Sequence, residues 1–288
     1  TMGGILILGS SLFAMLLCAD LSNPLVWIAM LVLVVYGAVG AVDDYTKVTK
    51  NTANAMSAKM KLLLQFSTAL IAVLVISYEM PENSRFVLTF PYFWNLSLDL
   101  VWFYVPFAMV VIAGASNAVN LSDGLDGLAG GLMVIALPVF MVIAYICGSD
   151  LVNNVYMMPV PRAAEVAVTC AAVIGGCLGF LWFNAAPAKV FMGDTGSLAL
   201  GAYLGTVAVM LKHEILLAVV GFVFVAEALS VMIQVYWFRH TGGKRFFKMA
   251  PIHHHFEQCG WPETRVVVRF WAIGIILAVL GFLSIQYK

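Results

Sequence analysis

Four clusters of polar and ionisable residues stand between long apolar runs of the chain. They are Asp43-Asp44 and residues 117–126, 189–197 and 239–269. Carboxylates, amides and histidines are the groups that neutralise charge, transfer protons and bind phosphate or metal ions. Polar side chains among apolar segments of this length are costly unless they serve a task. The clusters therefore predict one functional site assembled from four parts of the chain.

Asp43 and Asp44 end the second apolar run. Two adjacent carboxylates repel each other, so they favour a bound cation or a proton taken from a nucleophile. An acidic helix end that faces water is an equally good interpretation of this pair alone. Lys47, Lys50, Lys59 and Lys61 follow. They suit either phosphate binding or the lysine enrichment of cytoplasmic loops.

Asn117, Asn120, Asp123 and Asp126 recur at every third position, which keeps them on one side of a helical turn. Alternating amides and carboxylates suit ribose hydroxyls and the edge of a base. A calcium loop is excluded, since the twelfth position from Asp123 is a valine where that loop needs Glu. A plain polar loop remains the alternative.

Residues 191–197 precede an apolar helix and read Phe-Met-Gly-Asp-Thr-Gly-Ser. The N–H groups at a helix start bind anions, and Asp194 beside them suits a metal ion that bridges a pyrophosphate. A simple helix cap is the alternative, and the motif is not a Walker loop because no Gly-Lys-Ser/Thr follows.

His253, His254 and His255 are consecutive, so on a helix they diverge and cannot all bind one metal ion. One or two of them suit contact with phosphate. The five cysteines have neither disulfide nor zinc spacing. Glu227 and Gln234 lie in one apolar run; Glu227 fits a functional or a structural role, and Gln234 lies near the cytoplasmic end.

The composition places these clusters in a membrane protein. Hydrophobic residues make up 62% of the chain and charged residues 10%, whereas soluble domains have about 25% charged residues. The pattern predicts an all-α polytopic membrane protein with a single domain, residues 1–288. A crossing needs about 20 helical residues, and nine candidate spans follow from that length, of which the fourth and the seventh are short. The nine spans are 3–19, 24–42, 62–78, 100–115, 128–147, 163–183, 198–211, 215–238 and 270–285.

The basic residues set the predicted orientation. Cytoplasmic loops retain Lys and Arg, and the side that carries the clusters holds eleven of the fifteen, against four on the other. The clusters are therefore predicted to face the cytoplasm. Aromatic residues 86–98 predict a small β-hairpin on the outer face. A net charge of zero gives no reason to expect nucleic acid.

A transporter is the rival interpretation, because polar groups among spans often mark a solute path. It predicts charges near the bilayer midplane, whereas these crowd one interface and only Glu227 lies deep. A structural scaffold explains none of the Asp-Gly motifs.

In this order, the motifs resemble the polyprenyl-phosphate N-acetylhexosamine-1-phosphate transferase superfamily, and most closely its phospho-N-acetylmuramoyl-pentapeptide transferases. Residues 1–4, 43–45, 117–129, 191–198, 249–257 and 260–271 carry the resemblance. The string Ala-Pro-Ile-His-His-His at 250–255 favours this branch over relatives that use UDP-N-acetylglucosamine. The resemblance also implies a tenth span before Thr1, with a lysine associated with nucleotide binding.

The resemblance implies transfer of phospho-MurNAc-pentapeptide from UDP-MurNAc-pentapeptide to undecaprenyl phosphate, giving lipid I and UMP with Mg²⁺ as cofactor. The enzyme would lie in the bacterial inner membrane with its site facing the cytoplasm. A homodimer is expected from the family alone.

The resemblance also implies roles for individual residues. Asp194 would bind the metal, Asp43 or Asp44 would be the base, and His253 and His254 would steady the pyrophosphate. The predicted uridine pocket is Asn120, Asp123, Asp126, Phe191, Gly193 and Ser197. Further predicted substrate contacts are Thr1, Lys59, Asn117, Gln234 and His255. Direct attack by the lipid phosphate and a covalent phospho-enzyme intermediate both remain open.

Overall fold

A computed structural model describes residues 2–50, 56–93 and 96–288. Its helices are α1 Gly4–Cys18, α2 Pro24–Lys50, α3 Ala58–Glu79, α4 Tyr104–Ser122, α5 Leu128–Cys147, α6 Ala164–Asn184, α7 Gly193–Met210, α8 Glu214–Val220, α9 Phe222–His240, α10 Ile252–Gln258 and α11 Glu263–Phe282. The all-α prediction is confirmed.

Seven helical segments in the described ranges are long and apolar enough to cross a membrane. They are Pro24–Thr49, Ala58–Glu79, Val101–Ser122, Leu128–Cys147, Ala164–Asn184, Phe222–His240 and Glu263–Phe282. The chain is thus a multi-pass membrane protein. The first predicted span forms the shorter apolar helix Gly4–Cys18, and the eighth is interrupted at Gly221 between α8 and α9. The count of nine spans stays a prediction.

Helix α7 lies at the centre of the bundle. Every residue from Thr195 to Met210 is buried. Gly201 lets α4 approach closely, because a Cβ atom there would lie only 2.4 Å from the carbonyl oxygen of Ala115. Small residues of this kind allow tight packing between helices in membranes. Helix α7 is thereby held closely against α4.

Helix α2 continues beyond its predicted end at Val42 as far as Lys50. Asp43 and Asp44 therefore lie inside a helix, with exposures of only 2% and 6%. The interpretation of this pair as an acidic helix end facing water is wrong. Buried carboxylates at this depth require partners.

The predicted hairpin is present at the far end of the helices from these aspartates. Strand β1 (Val87–Thr89) pairs antiparallel with β2 (Ser97–Asp99), with Leu88 opposite Leu98. Lys212, which follows α7, donates a hydrogen bond to the carbonyl of Arg85 just before β1 (2.7 Å). That the hairpin faces the outside of the cell stays a prediction.

Candidate active site

Asp44 binds the first turn of α7. One carboxylate oxygen accepts hydrogen bonds from the Thr195 N–H (3.0 Å) and hydroxyl (2.8 Å), and the other from the Asp194 N–H (3.2 Å). Gly40 permits this approach, since a Cβ atom there would lie 2.2 Å from the carbonyl oxygen of Asp194. Negative charge at a helix N-terminus is favourable. Asp44 therefore fixes the backbone that carries Asp194.

Asp43 and Asp194 meet around two lysine ammonium groups. Lys61 Nζ lies 3.0 Å from Asp43 Oδ2 and 2.9 Å from Asp194 Oδ2. Lys47 Nζ lies 2.7 Å and 3.1 Å from the same two oxygen atoms. The remaining oxygen of Asp43 accepts a hydrogen bond from the Met56 N–H (3.1 Å). Helices α2, α3 and α7 thus contribute to one compact cluster, the four-residue charge cluster Asp43, Lys47, Lys61 and Asp194.

The end of α4 contacts this cluster through Asn120. Its amide lies 2.9 Å from both Asp194 Oδ1 and Ser197 Oγ, and Ser197 in turn donates to the carbonyl of Gly193 (2.9 Å). Gly193 begins α7 with a φ of 71°, a conformation that favours glycine. Three predicted nucleotide-pocket residues are therefore neighbours of Asp194.

Two carboxyl groups here have opposite pKa shifts. Burial raises the pKa of Asp123 to about 8. The negative charges of Asp194 and Asp44 also raise this pKa, whereas a hydrogen bond from the Gly193 backbone lowers it. Burial alone would also raise the pKa of Asp194. The hydrogen bonds that it accepts from Asn120 and Lys61, and the charge of Lys61, instead hold that pKa below its usual range. Asp194 is thus an anion at neutral pH, while Asp123 retains a proton in much of the population.

Several predicted site residues hold backbone or amide groups in place. Asp126 accepts a hydrogen bond from the Ala188 N–H (2.8 Å), and Asn117 donates to Gln65 of α3 (2.9 Å). Gln234 accepts from the N–H groups of Phe246 (3.2 Å) and Phe247 (2.8 Å). These bonds shape the loops around the cluster. A direct contact of these side chains with substrate stays a prediction.

The three histidines have different surroundings. His253 is buried, with Nδ1 3.1 Å from Glu227 Oε2. The His254 ring lies 4.1 Å from the His253 ring, and its Nδ1 is 2.6 Å from Glu257. His255 accepts a hydrogen bond from the Lys248 N–H (3.1 Å). Of the three, only His254 is both partly exposed and adjacent to His253.

The remaining predicted contacts lie at the edge. Phe191 is 53% exposed, and its carbonyl accepts from the Gly3 N–H (2.9 Å), which joins α1 to the start of α7. Lys59 is exposed on α3, whereas Lys61 reaches the carboxylates. Thr1 lies outside the described residues. Sequence reasoning did not single out Lys61 among the four lysines or predict the contacts of Thr195 and Gln65, because only the tertiary contacts distinguish these residues from their neighbours.

A metal ion would have to share its ligands with substrate. No group of three His, Cys, Asp or Glu side chains within the described ranges could hold a metal by itself. Mg²⁺, however, often binds through one or two carboxylates together with substrate phosphates. The two lysines of the charge cluster are already balanced by Asp43 and Asp194. Added phosphates would therefore need further positive charge, and Asp194 is the carboxylate that would hold Mg²⁺ in exchange for a lysine contact.

Comparison with known proteins identifies the family. Residues 26–212 match the family model described as glycosyl transferase family 4. The whole chain is 50% identical to a phospho-N-acetylmuramoyl-pentapeptide-transferase of Rickettsia canadensis (strain McKiel) and 51% identical to one of Desulfotalea psychrophila, covering 80% of each relative. The chain therefore belongs to glycosyl transferase family 4 and, within it, to the phospho-N-acetylmuramoyl-pentapeptide-transferases.

Proposed function

We propose that this chain transfers phospho-MurNAc-pentapeptide from UDP-MurNAc-pentapeptide to undecaprenyl phosphate, giving lipid I and UMP. The observation that carries the proposal is the charge cluster of Asp43, Lys47, Lys61 and Asp194, in which two ammonium groups bridge a buried and a partly buried carboxylate. The names of relatives about 50% identical over the whole chain support this substrate pair. The site would face the cytoplasm at the inner membrane, where a soluble nucleotide can meet a lipid phosphate.

The chemistry needs positioning and charge neutralisation more than covalent help. In the proposal, Lys47 and Lys61 attract the phosphates of both substrates, and Asp194 holds Mg²⁺. The ion, when bound, would offset the negative charge of the pyrophosphate. Asn120 restrains Asp194 by its 2.9 Å hydrogen bond. The four side chains would thus align the donor with the acceptor.

Asp43 is the better candidate for the base. Both oxygen atoms of Asp44 already accept hydrogen bonds from α7, whereas Asp43 is bonded mainly to lysine side chains that can move with an incoming phosphate. Asp43 would accept a proton from the lipid phosphate, and Asp44 would support it by fixing α7. Direct attack by the lipid phosphate and a phospho-enzyme intermediate at Asp43 both remain open.

The nucleoside would lie beside this cluster. Asn120, Asp123 and Ser197 offer amide, carboxyl and hydroxyl groups for the ribose and the base, and the exposed ring of Phe191 offers a stacking surface. His254 would contact the pyrophosphate. A homodimer stays a prediction.

The decisive experiment measures UMP release from UDP-MurNAc-pentapeptide by the protein in lipid, with and without undecaprenyl phosphate and Mg²⁺. Release that requires all three components is expected, and its absence from the full-length protein would overturn the proposal. Equal release from UDP-N-acetylglucosamine would favour the alternative, a related N-acetylhexosamine-1-phosphate transferase. Recovery of phosphorylated Asp43 or Asp44 after mixing with donor alone would exclude direct attack.

A further inference from the structure

Glu227 and His253 form a buried pair that the proposed chemistry leaves without a defined task. Glu227 lies in the second turn of α9 and His253 in the first turn of α10. Their side chains are 0% and 1% exposed, with Nδ1 3.1 Å from Oε2. A carboxylate at this depth is costly unless a partner offsets its charge.

The pair is close but poorly aligned. In the described part of the chain, neither carboxylate oxygen of Glu227 and neither ring nitrogen of His253 has a hydrogen-bond partner of good geometry. Buried polar atoms normally have such a partner. Hydrogen bonds of catalytic groups are often misaligned before substrate binds and become shorter afterwards. The pair therefore has the character of a functional contact.

The opposite side of the His253 ring packs on Gly124, in the loop between α4 and α5. A Cβ atom at Gly124 would lie 2.4 Å from Nε2 and 2.8 Å from Cε1 of the ring. This loop also contains Asp123. The imidazole of His253 is thus held between α9 and the loop beside the predicted nucleotide pocket. The centroid of the His254 ring lies 4.1 Å from the centroid of this imidazole.

We propose that Glu227 is a positioning residue for the transfer reaction. In the substrate complex its carboxylate accepts a hydrogen bond from Nδ1–H of His253, which leaves Nε2 directed at the Gly124 loop and sets the position of His254 beside the pyrophosphate. This inference rests on the proposed function. Because Glu227 acts through the ring and not on the substrate, its loss should lower kcat and leave the KM for the donor nearly unchanged.

The first test is Glu227→Gln, which keeps the side-chain volume and removes the charge. We expect kcat for UMP release to fall roughly 10- to 100-fold, because small misplacements of groups near the reacting atoms cause losses of this size. The KM for UDP-MurNAc-pentapeptide should stay within about threefold. Glu165→Gln is the matched control, because Glu165 accepts the Asp20 N–H (2.9 Å) at the opposite end of the bundle. It should keep the wild-type kcat.

The second test displaces the ring from its other side. Gly124→Ala should lower kcat in the same way, and the double variant with Glu227→Gln should be no more than about threefold slower than the slower single variant. A multiplicative loss, or wild-type kcat in folded Glu227→Gln, would overturn the inference. A reduced melting temperature with unchanged kcat would assign the pair a structural role and also overturn it. An inactive wild-type protein would instead contradict the proposed function itself.

Discussion

Asp44 and Thr195 are joined by two hydrogen bonds, from the backbone N–H (3.0 Å) and the hydroxyl (2.8 Å) of Thr195. Both end on the same carboxylate oxygen, and they connect the C-terminal part of α2 to the start of the central helix α7. Asp43, one position earlier, contacts the lysines instead. Two adjacent and chemically identical side chains therefore have different tasks.

Asn substitutions should separate these tasks. Asp44→Asn weakens the anchor of α7 and should reduce stability by about 1–2 kcal/mol, the cost of losing a helix cap. Asp43→Asn should lower kcat far more than it lowers the melting temperature, because it removes the proposed base. Thermal unfolding and UMP release of both variants check this. Similar profiles for the two variants would contradict the division of roles.

The two neighbouring lysines of α3 provide a second comparison. Lys61 lies within 3.0 Å of both Asp43 and Asp194, whereas Lys59 is exposed. Lys61→Gln leaves the carboxylates of Asp43 and Asp194 with one ammonium group, so turnover should fall at least about tenfold, a loss of 1.4 kcal/mol or more. Lys59→Gln should change it by less than about threefold. Steady-state kinetics of both variants at fixed ionic strength check this prediction. A larger loss of turnover in Lys59→Gln than in Lys61→Gln would place the nucleotide away from the charge cluster.

Asp194 provides the test of metal dependence. Asp194→Asn keeps the shape of the side chain and an acceptor oxygen toward Asn120, but it removes the charge that would hold Mg²⁺. Activity should be lost with a melting temperature close to that of the wild type. A titration of wild-type activity with Mg²⁺ after chelation is the companion measurement. Normal turnover in the variant would exclude Asp194 from the site.

The sequence was sufficient to predict the helical membrane fold and the convergence of the four clusters, because span length and parity place loops on one side. It did not predict the end of α2. The apolar run stops at Val42, yet the helix continues to Lys50 because the lysines and α7 supply partners for Asp43 and Asp44. Those partners come from other helices, so no local pattern contains them.

Individual roles were harder to predict for the same reason. Asp126 and Gln234 are polar residues near the site, and both bind backbone N–H groups. A sequence cannot tell whether a polar side chain faces a ligand or the backbone of a distant segment. The His253–Glu227 pair likewise joins two helices that share no sequence pattern.

Asp123 predicts a pH dependence of stability. Burial raises its pKa from 3.8 to about 8, so between these values the folded protein keeps a proton that the unfolded chain has released. Its contribution to stability therefore decreases as pH rises from about 4 to about 8. Asp123→Asn is neutral throughout and removes this dependence. The melting temperature of the variant should fall less than that of the wild type between about pH 5 and about pH 8.5. Parallel curves of melting temperature against pH for the two proteins would contradict the raised pKa of Asp123.

Gln234 predicts the behaviour of the basic segment that follows α9. Its side-chain oxygen accepts the N–H groups of Phe246 (3.2 Å) and Phe247 (2.8 Å), next to Lys244 and Arg245. Gln234→Ala removes the acceptor and leaves both groups to water, so this segment should open more often. Trypsin cleavage after Lys244 or Arg245 should then accelerate by about tenfold if the opening free energy falls by 1.4 kcal/mol. Gln258→Ala, in α10, is the control for loss of a side-chain amide. Gln258 accepts from Lys248 through its backbone carbonyl (3.0 Å), which the substitution keeps. Equal cleavage rates in wild type and Gln234→Ala would show that other contacts hold the segment. Gln234 would then again be a candidate for direct contact with substrate.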